Sequence, residues 1–137
     1  MTKFEKLPTD IEENYLPPNY EEDDYFVEDK FLKELPNDIM KEKSITMLET
    51  LDSMFDIIKG LKIDVHEGDL DTTTSAKIKR RYKKIIEYHY NSIKIMLDTG
   101  KISIDEVVTF LGKDKQKRIK DLFEFGIDEF LVNNNLN

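Results

Sequence analysis

The sequence predicts an all-α fold, a small bundle of about four helices with an extended acidic N-terminal arm. Three observations lead there. Apolar residues recur at spacings of three and four over long windows after residue 37. Gly and Pro punctuate those windows more often than they interrupt them. Charge is segregated: residues 1–42 hold 13 Asp or Glu against 5 Lys, whereas residues 43–137 hold 16 of each sign. The whole formal excess of −8 therefore sits in the first third of the chain. The expected organisation is an arm over residues 1–36 and a helical bundle domain over residues 37–137.

The arm comes first. Its opening 24 residues contain three of the chain's four prolines and apolar positions too sparse to form a stripe. Pro17 and Pro18 oppose helix and favour an extended path. Such a composition buries too little surface to offset its ordering entropy, which predicts disorder in the free protein. Yet Phe4, Leu7, Ile11, Tyr15, Leu16 and Tyr20 are interspersed among carboxylates, a mixture suited to an arm that folds onto a partner. Two readings stay open, a solubilising terminus and a partner-docked arm. The candidate contacts are Tyr15, Tyr20, Glu21, Glu22, Asp23, Asp24, Tyr25 and Phe26. Val27, Phe31 and Leu35, at i, i+4 and i+8, predict a short helix ending before Pro36.

Asn37 or Asp38 offers an N-cap for the first long helix. Met47, Leu48, Leu51, Met54, Phe55 and Ile58 form its core stripe, and Gly60 is placed to end it. Residues 61–74 read as a loop, with Leu61, Ile63 and Val65 alternating as a short strand would. Thr72–Ser75 then supplies caps for the longest helical pattern, Ser75 to Thr99. Ile78, Tyr82, Ile85, Ile86, His89, Ile93, Met96 and Leu97 share one face of that helix. Its opposite face collects Lys77, Lys79, Arg80, Arg81, Lys83 and Lys84. Ser103 with Glu106 forms a capping box, and Ile102 with Val107 the matching staple. This short helix should run to about Leu111 and stop at Gly112. Asp114 is placed to cap the last helix, whose face is Ile119, Leu122, Phe123, Ile127, Phe130 and Leu131. Gly126 on that face invites close packing or a kink. The terminal NNNLN should fray.

Motifs for catalysis are scarce. There is no Cys, no phosphate-loop or dinucleotide glycine pattern and no nucleophile elbow. His89 reads as a packed core residue. His66 lies among Asp64, Glu67, Asp69 and Asp71, a spacing that lacks the Gly and Glu of a calcium loop and reads as a solvated acidic segment, with a divalent-metal site the lesser alternative. Neither a metal nor another cofactor is expected, and the chain reads as a non-enzyme. No apolar run approaches the length of a membrane span, and the N-terminus lacks a signal peptide's apolar core. An intracellular protein, cytoplasmic or associated with nucleoid or nucleus, is the expectation.

Two basic clusters remain, Lys77 to Lys84 and the set Lys113, Lys115, Lys117 and Arg118. Each sits at a helix N-terminus, where cations oppose the macrodipole. One reading is a solvated polar face balanced by acids elsewhere; against it, that local cost points to a use beyond solvation, with phosphate contact one candidate. A protein partner, or the arm itself folding over the patch, is the other.

The stretch from the KIKRRYKKI run through ISIDE to the last helix resembles the helical domain of the GINS family of replisome subunits. Those pair an Arg/Lys-rich helix with a later short helix opening in Thr/Ser-x-x-Glu style. The acidic, Pro-containing arm departs from that family, and no functional residue is carried across. The resemblance implies a small helical accessory subunit of a replication or transcription assembly. The leading expectation is thus an interaction adaptor or regulatory subunit whose acidic arm engages a basic partner surface, such as that of a nucleic-acid enzyme. The alternative is a nucleic-acid-binding module using the two basic clusters.

Overall fold

The computed structural model describes residues 28–136. Among these the fold is all-α: six helices and no strand. The helices are α1 (Asp29–Lys33), α2 (Asn37–His66), α3 (Thr72–Asp98), α4 (Ile104–Val108), α5 (Lys113–Phe125) and α6 (Ile127–Asn133). No helix is long and apolar enough to cross a membrane.

The architecture rests on an antiparallel hairpin of α2 and α3. Ser44 near the start of α2 donates to the Met96 sulfur near the end of α3, at 3.5 Å. Thr99 Oγ1 likewise reaches the Met40 sulfur at 3.5 Å. The predicted stripes of both helices face each other, and Leu48, Leu51, Phe55, Tyr82, Ile86 and Ile93 are all sealed from solvent. Burying apolar faces of this length is what stabilises helices whose intrinsic propensity is modest.

Helix α2 continues past Gly60 to His66, so residues 61–66 are neither loop nor strand. The reason is packing: Leu61 is buried and extends the stripe of Met54 and Ile58 by one more turn. Gly60 has ordinary helical backbone, and the positive φ that closes a helix belongs instead to Gly68, at +79°. Beyond it, the Asp69 and Leu70 amides both donate to the Asp64 carbonyl. Helix α3 starts at Thr72 and is capped by Asp71 instead of a residue within 72–75. The Asp71 carboxylate accepts from the Thr74 amide and the Thr74 hydroxyl, both at 2.7 Å. The Thr74 amide, then its hydroxyl, hold the Asp71 carboxyl below its ordinary range.

The short elements clamp the hairpin. Leu32 on α1 and the predicted Leu35 just after it are buried, while the predicted Phe31 is exposed and Leu32 takes its place. Tyr25, Phe26 and Val27 lie outside the described residues, as does the rest of the acidic arm. The Lys101 ammonium ties α1 down by donating to the Lys33 and Leu35 carbonyls, at 2.8 and 3.2 Å. Ser103 caps α4 by accepting from the Glu106 amide at 3.2 Å, and Ile102 and Val107 are both buried, as the staple requires. This helix ends at Val108, three residues before Leu111. Gly112, not Asp114, occupies the N-cap of α5.

The last predicted helix is two helices. At Gly126 φ is +87° and ψ is 161°, a conformation essentially restricted to glycine. That break re-aims α6 so that Phe130 and Leu131 enter the core, with the Phe130 ring 4.9 Å from the Phe55 ring. The tail does not fray through residue 136. Leu136 is buried, its amide donates to the Leu131 carbonyl at 2.8 Å, and the Lys62 ammonium donates to the Asn135 carbonyl.

Candidate functional site

The two basic clusters occupy unlike surroundings. On α5, Lys113, Lys115 and Lys117 are exposed, but Arg118 turns toward α2. Its Nε donates to Asp52 Oδ1 at 2.8 Å and its Nη2 to the same oxygen at 2.5 Å. Nη1 and Nη2 also reach Asp56 Oδ1, each at 3.3 Å. Asp52 and Asp56 stand one helical turn apart on α2, which lets one guanidinium span both. The Asp52 side chain is 1% exposed, and the Lys115 ammonium lies 3.7 Å from its second oxygen. Burial works against the Arg118 charge, but the hydrogen bonds and charge of Asp52, with Asp56 behind them, outweigh it and raise the Arg118 pKa. Arg118 is thereby committed inside the fold, neutralising a buried carboxylate.

The α3 cluster divides into two stripes. Lys77, Arg81 and Lys84 follow one line of the helix, at i, i+4 and i+7. Lys79, Arg80 and Lys83 follow another, continuous with Ala76. This second stripe borders a cleft of about 260 Å³ between α3, α2 and the C-terminal end. The cleft floor is aliphatic: Ile58 from α2, Ile86 from α3, Leu131 from α6 and Leu136 from the tail. Its rim is cationic. Among the described residues no carboxylate forms a salt bridge with Lys79, Arg80 or Lys83. Partial burial depresses the Lys79 pKa, and the charges of Lys62 and Lys83 depress it further. Like charges crowd here, and among the described residues no acid pairs with them.

The predicted contacts of the arm, Tyr15, Tyr20, Glu21, Glu22, Asp23, Asp24, Tyr25 and Phe26, lie outside the described residues. The acidic segment at the α2–α3 turn brings Asp64, Glu67 and Asp69 together, with one oxygen of each within 4.8 Å of the others. His66 does not join them, and Asp71 is diverted to the α3 cap. His89 is packed as expected. Its Nδ1 donates to the Ile85 carbonyl at 2.9 Å, and burial holds the imidazole below its ordinary pKa of 6.5.

Sequence reasoning identifies the six cations of α3 but not the cleft beneath half of them. Leu136 falls in the tail whose sequence predicts fraying, and only its position as a single apolar residue in an Asn-rich run marks it. No family model matches the chain, and no curated protein or solved structure matches it either. The likeness to the GINS helical domain therefore rests solely on the residues that suggested it.

Proposed function

We propose that the chain is a non-enzymatic interaction adaptor or accessory subunit of a nucleic-acid-processing assembly, and that its acidic arm engages a basic surface of a partner protein. In this reading the arm extends from a four-helix bundle, with α2, α3 and α4 as three members and the bent pair α5–α6 as the fourth. The observation that carries the reading is the separation of charge. Residues 1–27 hold 8 Asp or Glu against 2 Lys and residues 43–137 balance, while the folded body presents a cationic, apolar-floored cleft with no acid among the described residues paired to its rim. Opposed potentials of this kind steer encounter and exclude wrong partners.

The test uses the full chain with Glu21→Gln, Glu22→Gln, Asp23→Asn and Asp24→Asn together. Partner recovered from native lysate and identified by cross-links to residues 1–36 should fall by about tenfold or more. Equal recovery by the neutralised chain would remove the arm from the mechanism.

The alternative, nucleic-acid binding through the basic clusters, draws support from the α3 rim, with which no carboxylate among the described residues pairs. It is weakened by the second cluster, where Arg118 and Lys115 already serve Asp52. Oligonucleotide binding with a steep salt dependence, abolished by Arg80→Glu with Arg81→Glu, would favour it over the adaptor reading.

A further inference from the structure

We infer that the cleft bordered by Lys79, Arg80 and Lys83 is a docking site for the chain's own acidic stretch, residues 10–24. The inference rests on the adaptor reading for the arm's importance and adds a resting place for it. The occupant is chosen by chemistry. A ligand that fits needs negative charge for the rim and apolar side chains for the floor of Ile58, Leu131 and Leu136. Residues 10–24 carry seven acidic side chains and no basic one, with Ile11, Tyr15, Leu16 and Tyr20 set between the acids. A nucleic-acid backbone would satisfy the rim but leave the aliphatic floor uncovered.

Reach and concentration favour the same occupant. The described chain begins at Glu28, directly before α1, and α1 packs against α3, the helix that carries the rim. From Glu28 the extended chain reaches about 13 Å by Asp24 and about 60 Å by Asp10, against a length of about 40 Å for α3. A tethered ligand experiences an effective concentration of about millimolar, so individually weak surface ion pairs suffice to populate the contact. Docking would relieve the crowding of Lys79 with Lys62 and Lys83. It would also place the arm in competition between this cleft and the basic surface of a partner, so that partner binding uncovers the rim.

The absence of Cys makes the test direct, because Asn19→Cys creates a single attachment point for a nitroxide beside Tyr20. In the full-length labelled protein at about 20 mM salt, amide signals of residues 79–83 and 131–136 should broaden strongly. They should recover in the Lys79→Glu, Arg80→Glu, Lys83→Glu background. They should recover equally when Glu21, Glu22, Asp23 and Asp24 are neutralised, a change that leaves the described body untouched. Absence of broadening at the cleft, or broadening that survives both sets of substitutions, overturns the inference. Broadening seen only between labelled and isotope-enriched copies in a mixture overturns it too, in favour of a second copy as occupant. Loss of partner on neutralising the arm, without broadening at the cleft, would leave the adaptor reading standing and remove this one alone.

Discussion

The α3 stripe of Lys79, Arg80 and Lys83 and the α5 residue Arg118 look alike in sequence and meet opposite fates in the fold. Arg118 faces two carboxylates one turn apart on α2 and is consumed by them. Lys79, Arg80 and Lys83 face aliphatic side chains and one another. The residue types are shared, so the difference lies in what the neighbouring helix presents. A cation becomes structural where α2 offers buried Asp52, as at Arg118, and stays at the surface where α2 offers Ile58, as at Lys79, Arg80 and Lys83. Composition alone does not separate the two cases.

The contrast breaks most visibly at Arg118. Arg118→Leu leaves the Asp52 carboxylate buried without its main partner and should cost about 3 kcal/mol in urea unfolding. Replacing both, Asp52→Leu with Arg118→Leu, should restore most of that loss, since the apolar pair carries no desolvation penalty. A mild effect from the single substitution would mean that Arg118 is as dispensable as the rim. Next comes Gly126→Ala, at the joint between the helix that holds the network and the helix that walls the cleft. No atom lies within 4 Å of an added Cβ, so the cost is purely backbone, about 1–3 kcal/mol. Amide shifts in that variant should concentrate on α6 and the cleft while α5 near Arg118 stays put. Lys115→Ala removes a half-exposed partner from Asp52 and should cost below about 1 kcal/mol. Smallest of all, Lys79→Gln, Arg80→Gln and Lys83→Gln together should change stability by no more than about 0.5 kcal/mol. Their removal relaxes mutual repulsion and leaves no buried charge behind.

How much of this is legible beforehand follows from the range of the interactions involved. The α2–α3 hairpin can be read from spacing, because apolar residues three and four apart report directly on a buried helical face. The Ser103 cap and its staple are legible for the same reason, as all four participants lie within six residues. Gly60 misleads because glycine ends a helix through its backbone conformation, which composition does not display, and the burial of Leu61 carries the helix onward. Gly126 shows the converse: a kink is legible there, but the full break depends on Phe130 finding Phe55 across the core. The functional contrast is the least legible part. Asp52 and Arg118 are 66 residues apart, and no local pattern predicts that pairing. Likewise Ile58, Lys79 and Leu136 belong to separate segments that only the folded hairpin and its returning tail bring to one cleft.

What separates the two clusters is that the α3 rim is open to an acidic ligand while Arg118 of α5 is held by Asp52 and Asp56. A salt titration followed residue by residue in the amide spectrum of the full chain tests it directly, from about 20 to about 500 mM sodium chloride. Progressive shifts are expected at residues 79–83 and 131–136 as screened contacts are released, with residues 115–118 and 52–56 nearly stationary. Movement confined to residues 113–118 and 52–56, with a silent cleft, would contradict it.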